Sequence, residues 1–282
     1  MKADEITLLI FTCEGREHLL QQCYQSFSKA CDFNFKKVIL AIDGKVDPSV
    51  ISMISPDLII QSYVRKGYVN NIVQAIALVD TDYFFWLEDD WYFHNAIDLK
   101  FLADQLTINS HWAEIVYNKD YPSDASLKRE LLAPDLFRTS FGFSANPCVC
   151  KTVFIRDGLN NLLKAPKGDK LGEDGFENSL TKYFEQNRLT CVIFDPPSVK
   201  IISHEGYLES TPRNWHMTNS LEQKTAKHLL VIPKPALWRR LLMIAKLTAV
   251  FFRLSLKQLF NDETYEFCFR IISSVKSMHK RD

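Results

Sequence analysis

Glycine is scarce, nine residues in 282, and no Gly-x-Gly occurs anywhere. That excludes the dinucleotide-binding fingerprint, in which glycines let the backbone close on a pyrophosphate. No Gly-Lys-Ser or Gly-Lys-Thr occurs either, so there is no P-loop. Neither sign of charge is in excess: Lys plus Arg and Asp plus Glu both total 34. Without a long-range basic field, no nucleic-acid partner is expected. No run of about 20 uncharged apolar residues is present to span a bilayer. Residues 1–5 are charged and lead straight into an apolar segment, without the profile of a signal peptide. A cytoplasmic protein is expected. Paired Cys-x2-Cys motifs are missing too. The seven cysteines are scattered, and Cys148-x-Cys150 stands alone, so buried thiols in a reducing compartment account for them better than a metal does.

What is present suits a folded α/β protein. Hydrophobic residues make up 46% and charged residues 24% of the chain, too apolar for disorder. Residues 6–11 (ITLLIF), 38–42 (VILAI), 58–63 and 83–87 (YFFWL) have the continuous apolar character of buried parallel strands. Between them, residues 17–31 and 67–80 carry helical spacing. Such alternation predicts βαβ units and a mostly parallel, twisted sheet flanked by helices. Further on, the pattern predicts a helix over 101–109, a strand over 113–117 and a polar loop over 121–134. Strands are expected over 141–149, 192–194 and 199–203, with a helix within 172–187. Beyond Trp215 the pattern is helical to the end. We expect a catalytic domain over 1–212, with halves 1–100 and 101–212, and a helical appendage over 213–282.

In open α/β sheets, ligands sit beyond the carboxyl ends of the strands. Thr12, Asp43 and Glu88-Asp89-Asp90 all fall at such ends. Three successive carboxylates repel one another unless a cation or hydrogen bonds offset the repulsion. In an extended segment Glu88 and Asp90 point to one side and Asp89 to the other, presenting two carboxylates to one hard cation. A solvated acidic turn is the plain alternative. Glu173 and Asp174 sit between Gly172 and Gly175 ahead of a helical stretch, where they either cap the helix or approach a ligand. His204 follows an apolar strand and is either a structural hydrogen-bonder or a further metal ligand.

Together these motifs resemble the GT-A glycosyltransferases of the family-2 type, over about two thirds of the chain, residues 6–207. Thr12, Arg16 and Asp43 look like that family's nucleoside-binding edge. Arg65-Lys66-Gly67 with Asn70-Asn71 is similar to its Gly-x-x-x-Asn element. Glu88-Asp89-Asp90 is similar to the DxD motif in its Glu-Asp-Asp form, and residues 143–147 to the acceptor-side loop. The resemblance implies that Asp90 and His204 hold Mn²⁺ or Mg²⁺, and that Arg65, Asn71, Glu88 and Asp89 join the nucleotide-binding set. It also implies that Asp174, with Glu173 beside it, supplies the catalytic base of an inverting transfer. The donor would be a nucleotide diphosphate-sugar and the acceptor a saccharide or a lipid-linked molecule. Two departures stand out: the DxD motif opens on Glu88, and the usual Asp-Asp-Gly-Ser is Ile42-Asp43-Gly44-Lys45. The Gln/Arg-x-x-Arg-Trp element of processive synthases is absent, so a single addition is expected. The rival readings are a catalytically silent sugar-nucleotide or carbohydrate-binding domain and a metal-dependent phosphohydrolase.

Residues 237–260 hold five basic residues and no acid. On a helix, Arg239, Lys246, Arg253 and Lys257 form one stripe amid apolar surface. This segment either lies on an anionic membrane, making the protein peripheral, or packs on the catalytic domain with the stripe facing water.

Overall fold

A computed structural model describes residues 5–64, 67–121, 123–164 and 175–205. All of them fall within one unit of the chain, Met1–Leu230. Arg65, Glu173, Asp174 and the segments 213–282 and 237–260 lie outside the described residues.

The first half alternates as its apolar pattern predicts. Strand β1 (Ile6–Cys13) leads to helix α1 (Glu17–Ala30), then β2 (Lys37–Asp43), α2 (Pro48–Ile54), β3 (Leu58–Ser62), α3 (Tyr68–Ala77) and β4 (Tyr83–Glu88). A short strand β5 (Trp91–Phe93) precedes α4 (Leu99–Ile108) and β6 (Trp112–Tyr117). The remainder comprises β7 (Lys128–Ala133), β8 (Leu136–Thr139), β9 (Cys148–Lys151), α5 (Thr152–Lys164), α6 (Gly175–Gln186), β10 (Thr190–Phe194) and β11 (Ile202–His204). Nine strands form one sheet in the order β3-β2-β1-β4-β9-β6-β10-β8-β7, while β5 and β11 pair separately. Strands β1 to β4, β6 and β10 run one way, and β9 and β8 run antiparallel to their neighbours. The sheet is therefore mostly parallel, with helices on both faces.

Alternation along the strands builds two cores. Leu8 and Ile10 face α1, α2 and α4, whereas Leu9 and Phe11 face α3, α5 and α6. The aromatic strand β4 is divided the same way: Tyr83 and Phe85 point to the first core, Phe84 and Trp86 to the second. Burial on both faces explains why these strands read as unbroken apolar runs.

Several expectations need correction. The strand predicted over 141–149 is confined to Cys148–Lys151. Pro147 has no N–H for a ladder, and the chain ahead of it turns at Gly142, whose φ is +81°. A Cβ at that glycine would lie 2.3 Å from Thr181 Cγ2, so the loop can rest on α6 only with glycine there. The region expected to be a polar loop, 121–134, contains β7, which pairs with β8 through a turn at Asp135. Its polar sequence, KRELLA, suits the edge of a sheet, where charged side chains deter further pairing. Helix α2 was not predicted, although Asp47 caps it, accepting from the Ser49 N–H at 2.8 Å, and Pro48 opens it.

Candidate active site

The parallel strands end together on one edge. Cys13 of β1 is opposite Asp43 of β2, and Phe11 is opposite Glu88 of β4. Beyond them lies a cavity of about 300 Å³, walled by Thr12, Arg16, Asp43, Glu88, Asp89, Asp90 and His204 among others. Its other wall comes from the second half of the chain: Lys119, Ser144, Ala145, Asn146, Phe176 and Glu177. Seven residues singled out from the sequence thus meet around one cavity with three of the 143–147 loop.

The acidic triplet does not alternate as expected for an extended segment. Strand β4 ends at Glu88, and Asp89-Asp90 forms the turn into β5. The turn brings both aspartates onto one guanidinium: Arg16 Nη2 lies 2.8 Å from Asp89 Oδ1 and 2.6 Å from Asp90 Oδ2. Thr12 donates to Asp89 Oδ2 at 2.7 Å. Glu88 takes a separate partner, accepting the phenolic hydrogen of Tyr68.

His204 arrives from a distant part of the chain. Strand β11 pairs antiparallel with β5, setting His204 opposite Trp91, and Glu205 N–H donates to the Asp90 carbonyl at 2.8 Å. His204 Nε2 then lies 3.1 Å from Asp90 Oδ2. Asp43 performs a different task, accepting the Gly67 N–H at 3.1 Å just ahead of α3. Asn71 is buried on α3 and is not part of the cavity wall.

Electrostatics distinguish the three acids. Burial, reinforced by the Asp90 charge, pushes the Glu88 carboxyl well above its usual range. Burial also raises Asp89, to about 6, against the opposing pull of Arg16. Asp90 is desolvated as well, but His204 and Arg16 outweigh that and hold it below the usual carboxylate value. Asp90 is therefore the most firmly ionised of the three. Its Oδ1 is buried with no hydrogen-bond partner among the described residues, and Arg16 Nε is in the same condition. A buried carboxylate oxygen without a partner is costly unless a ligand completes it. The buried Asp90 oxygen is of the kind a hard divalent cation takes, and the His204 imidazole lies beside the same carboxylate.

Three polar wall residues escaped the sequence analysis. Tyr68 carried no motif, although it directly follows Gly67. Lys119 is an exposed lysine beyond β6. Glu177 lies in the first turn of α6, three residues beyond Asp174 in sequence. Burial raises the Glu177 carboxyl, and its Oε1 accepts the Ala145 N–H at 2.7 Å. The 143–147 loop is tied down again where Phe143 N–H donates to Thr181 Oγ1 at 3.0 Å.

No family model matches this chain, and no curated protein matches it. Solved structures do. S. aureus TarS superimposes with a TM-score of 0.50 at 14% identity, over 80% of this chain and 42% of TarS. The fold is GT-A-like, a mostly parallel twisted sheet flanked by helices. Two structures of TarS 1–349, one of them in complex with UDP, align at 15% and 13% identity with TM-scores of 0.49 and 0.48. Both alignments cover 80% of this chain and 69% of the other. The chain spans less than half the length of the full TarS it matches. At such identity the likeness concerns the GT-A fold, and function has to be argued from the cavity.

Proposed function

We propose that this protein is a metal-dependent glycosyltransferase, moving a sugar from a nucleotide diphosphate-sugar to an acceptor hydroxyl with inversion and one addition per encounter. The observation that carries this reading is the Asp90 carboxylate at the carboxyl edge of a GT-A sheet. It is held below the usual carboxylate value by His204 and Arg16, which share it, and is left with one buried oxygen unpartnered among the described residues. Asp90 and His204 would hold Mn²⁺ or Mg²⁺. Such an ion supplies Lewis-acid neutralisation of a departing diphosphate. Thr12, Arg16, Asp43, Glu88 and Asp89, with Arg65 and Asn71, make up the proposed nucleotide-binding set. Arg16 sits across two carboxylates at the cavity and would turn part of its positive charge toward a diphosphate bound there. Asp174, with Glu173 beside it, would accept the proton of the attacking hydroxyl. The wall bearing Lys119, Ser144 and Asn146 would receive the acceptor, held in line with the donor.

The test is a thermal-shift screen of nucleotide diphosphate-sugars with and without Mn²⁺, followed by an assay of slow donor hydrolysis. A ligand at 100 times its dissociation constant stabilises by about 2.7 kcal/mol, enough for a clear shift. One sugar nucleotide should stabilise the protein strongly, only with metal, and be hydrolysed. Stabilisation without any hydrolysis or transfer would favour a silent carbohydrate-binding domain.

The acceptor is a saccharide or a lipid-linked molecule. For the latter we propose peripheral contact with the inner face of an anionic membrane through residues 237–260. The support is the basic stripe of Arg239, Lys246, Arg253 and Lys257, each worth about 1 kcal/mol near an anionic surface. The protein should co-sediment with anionic liposomes at low salt and be released as salt screens the charges. Indifference to liposomes at low salt would remove the lipid-linked acceptor. Among the described residues, no helix is long and apolar enough to cross a membrane.

A further inference from the structure

A second group of ligand-type side chains lies outside the cavity, beneath the 143–147 loop. Its origin is a β-bulge. Trp112 of β6 is opposite Thr190 of β10, yet Cys191 is opposite Glu114, so β6 carries one extra residue at Ala113. The bulge turns Glu114 onto the sheet face that carries Val116 and Ile193 and packs on α5 and α6. On the other side of β6, Glu114 is opposite Cys150 of β9, and Cys148 shares its face two residues away. Three adjacent strands thus bring one carboxyl and three thiols to one place in the second core.

The geometry is tight. Cys148 Sγ and Cys150 Sγ are 3.3 Å apart, and a Glu114 carboxylate oxygen and both sulfurs lie within 4.8 Å of one another. Two thiolates on one tetrahedral zinc, at about 2.3 Å each, stand roughly 3.8 Å apart. Cys191 is in contact with Glu114 but falls outside that three-residue group. All four side chains are buried: Glu114, Cys148 and Cys150 are at 0% exposure and Cys191 is at 6%. Glu114 Oε1 accepts the Ser144 N–H at 3.2 Å, but Oε2 has no hydrogen-bond partner among the described residues. No cation among the described residues offsets it either. The neighbours of this carboxyl in the apolar core are thiols, those of Cys148 and Cys191 interacting with it directly.

We infer that Glu114, Cys148 and Cys150 form a structural site for a thiophilic divalent cation of the zinc type, which would draw in Cys191, already in contact with Glu114, as its fourth ligand. Three sulfurs and one oxygen suit zinc, whereas Mn²⁺ and Mg²⁺ prefer oxygen donors, so the site is distinct from the one at Asp90. With Cys191 drawn in, four protein ligands would leave no open position, which marks the site as structural. Each ligating thiol and the carboxyl would give up its proton to solvent as the ion binds. The ion would join β9, β6 and β10 under the loop that walls the cavity. Glu114 holds that loop through the Ser144 N–H, and Cys148 Sγ approaches the Ser144 carbonyl at 3.8 Å.

The experiment uses the full chain, purified without chelator and weighed for metal by elemental mass spectrometry. A parallel sample is refolded with Co²⁺ and scanned for thiolate-to-cobalt charge-transfer absorption in the near ultraviolet. The wild type should hold about one zinc per chain and show the band, by the stoichiometry of a closed four-ligand site. Asp90→Asn should change neither result, which separates this site from the proposed catalytic one. The double variant Cys148→Ser, Cys150→Ser should lose the metal and the band. Should that variant fail to fold, Glu114→Gln, nearly isosteric and neutral, should weaken metal retention at least about tenfold while the fold persists. Negligible zinc together with no cobalt band after refolding overturns the site. So does a band that survives loss of both cysteines, or undiminished retention in Glu114→Gln.

Discussion

Replacing Asp90 with Asn is expected to lower turnover at least about 10³-fold, close to 4 kcal/mol of transition-state stabilisation, with the fold intact. The substitution keeps the side chain's shape but removes its charge and one of its two acceptor oxygens. In the wild type, Oδ2 is already shared by Arg16 at 2.6 Å and His204 at 3.1 Å, and Oδ1 is the oxygen left for a ligand. An amide nitrogen in either position cannot ligate a cation, and facing His204 or Arg16 it would set donor against donor. Asp89→Asn should cost less. Asp89 is engaged by Thr12 and Arg16, and it is the less firmly ionised of the pair. Steady-state kinetics measure the loss, and calorimetry of donor binding with and without Mn²⁺ identifies its cause. Donor affinity in the wild type that ignores Mn²⁺ would refute the metal assignment.

The first half of the fold was legible because its strands are buried on both faces and its helices on one. Residues 6–11, 38–42 and 83–87 read as apolar runs and correspond to β1, β2 and β4, with the polar residues that follow them aligned on one edge. Where a strand has a solvated side the signal failed: β7 is an edge strand with a Lys-Arg-Glu start, and it reads as loop. The triplet Glu88-Asp89-Asp90 was legible as a site, but its geometry was not. A period-2 argument holds only while the chain stays extended, and here the chain turns at Asp89. Partners far apart in sequence were also invisible. Nothing near His204 indicates that β11 pairs with β5 and delivers the imidazole to Asp90. The bulge that turns Glu114 toward three cysteines depends on the register between β6 and β10, which no local pattern encodes.

The second large effect concerns the proton acceptor, and it separates two carboxyls three residues apart. Asp174→Asn is expected to lower turnover by about 10²–10⁴-fold, the usual contribution of a general base, with donor binding nearly unchanged. Glu177→Gln should be mild by comparison, although Glu177 lines the cavity. Burial raises its carboxyl, so it gives up its proton less readily than an ordinary glutamate. Its Oε1 is engaged by the Ala145 N–H at 2.7 Å, a bond that a glutamine carbonyl preserves. Glu177 is therefore expected to hold the loop. Its signature should be found in stability. A carboxyl whose folded value is raised keeps its proton after the unfolded chain has released its own near pH 4.3. The folded state then binds more protons, and stability falls as pH rises from that point through the folded value. Glu177→Gln removes this contribution, so the variant should gain on the wild type in denaturant midpoint as pH rises from 4 to 8. Glu177→Ala should instead lower stability at every pH, because the Ala145 N–H loses its acceptor. Should Glu177→Gln abolish turnover while Asp174→Asn remains active, the proton is taken by the first turn of α6, and the assignment of the base to Asp174 is wrong.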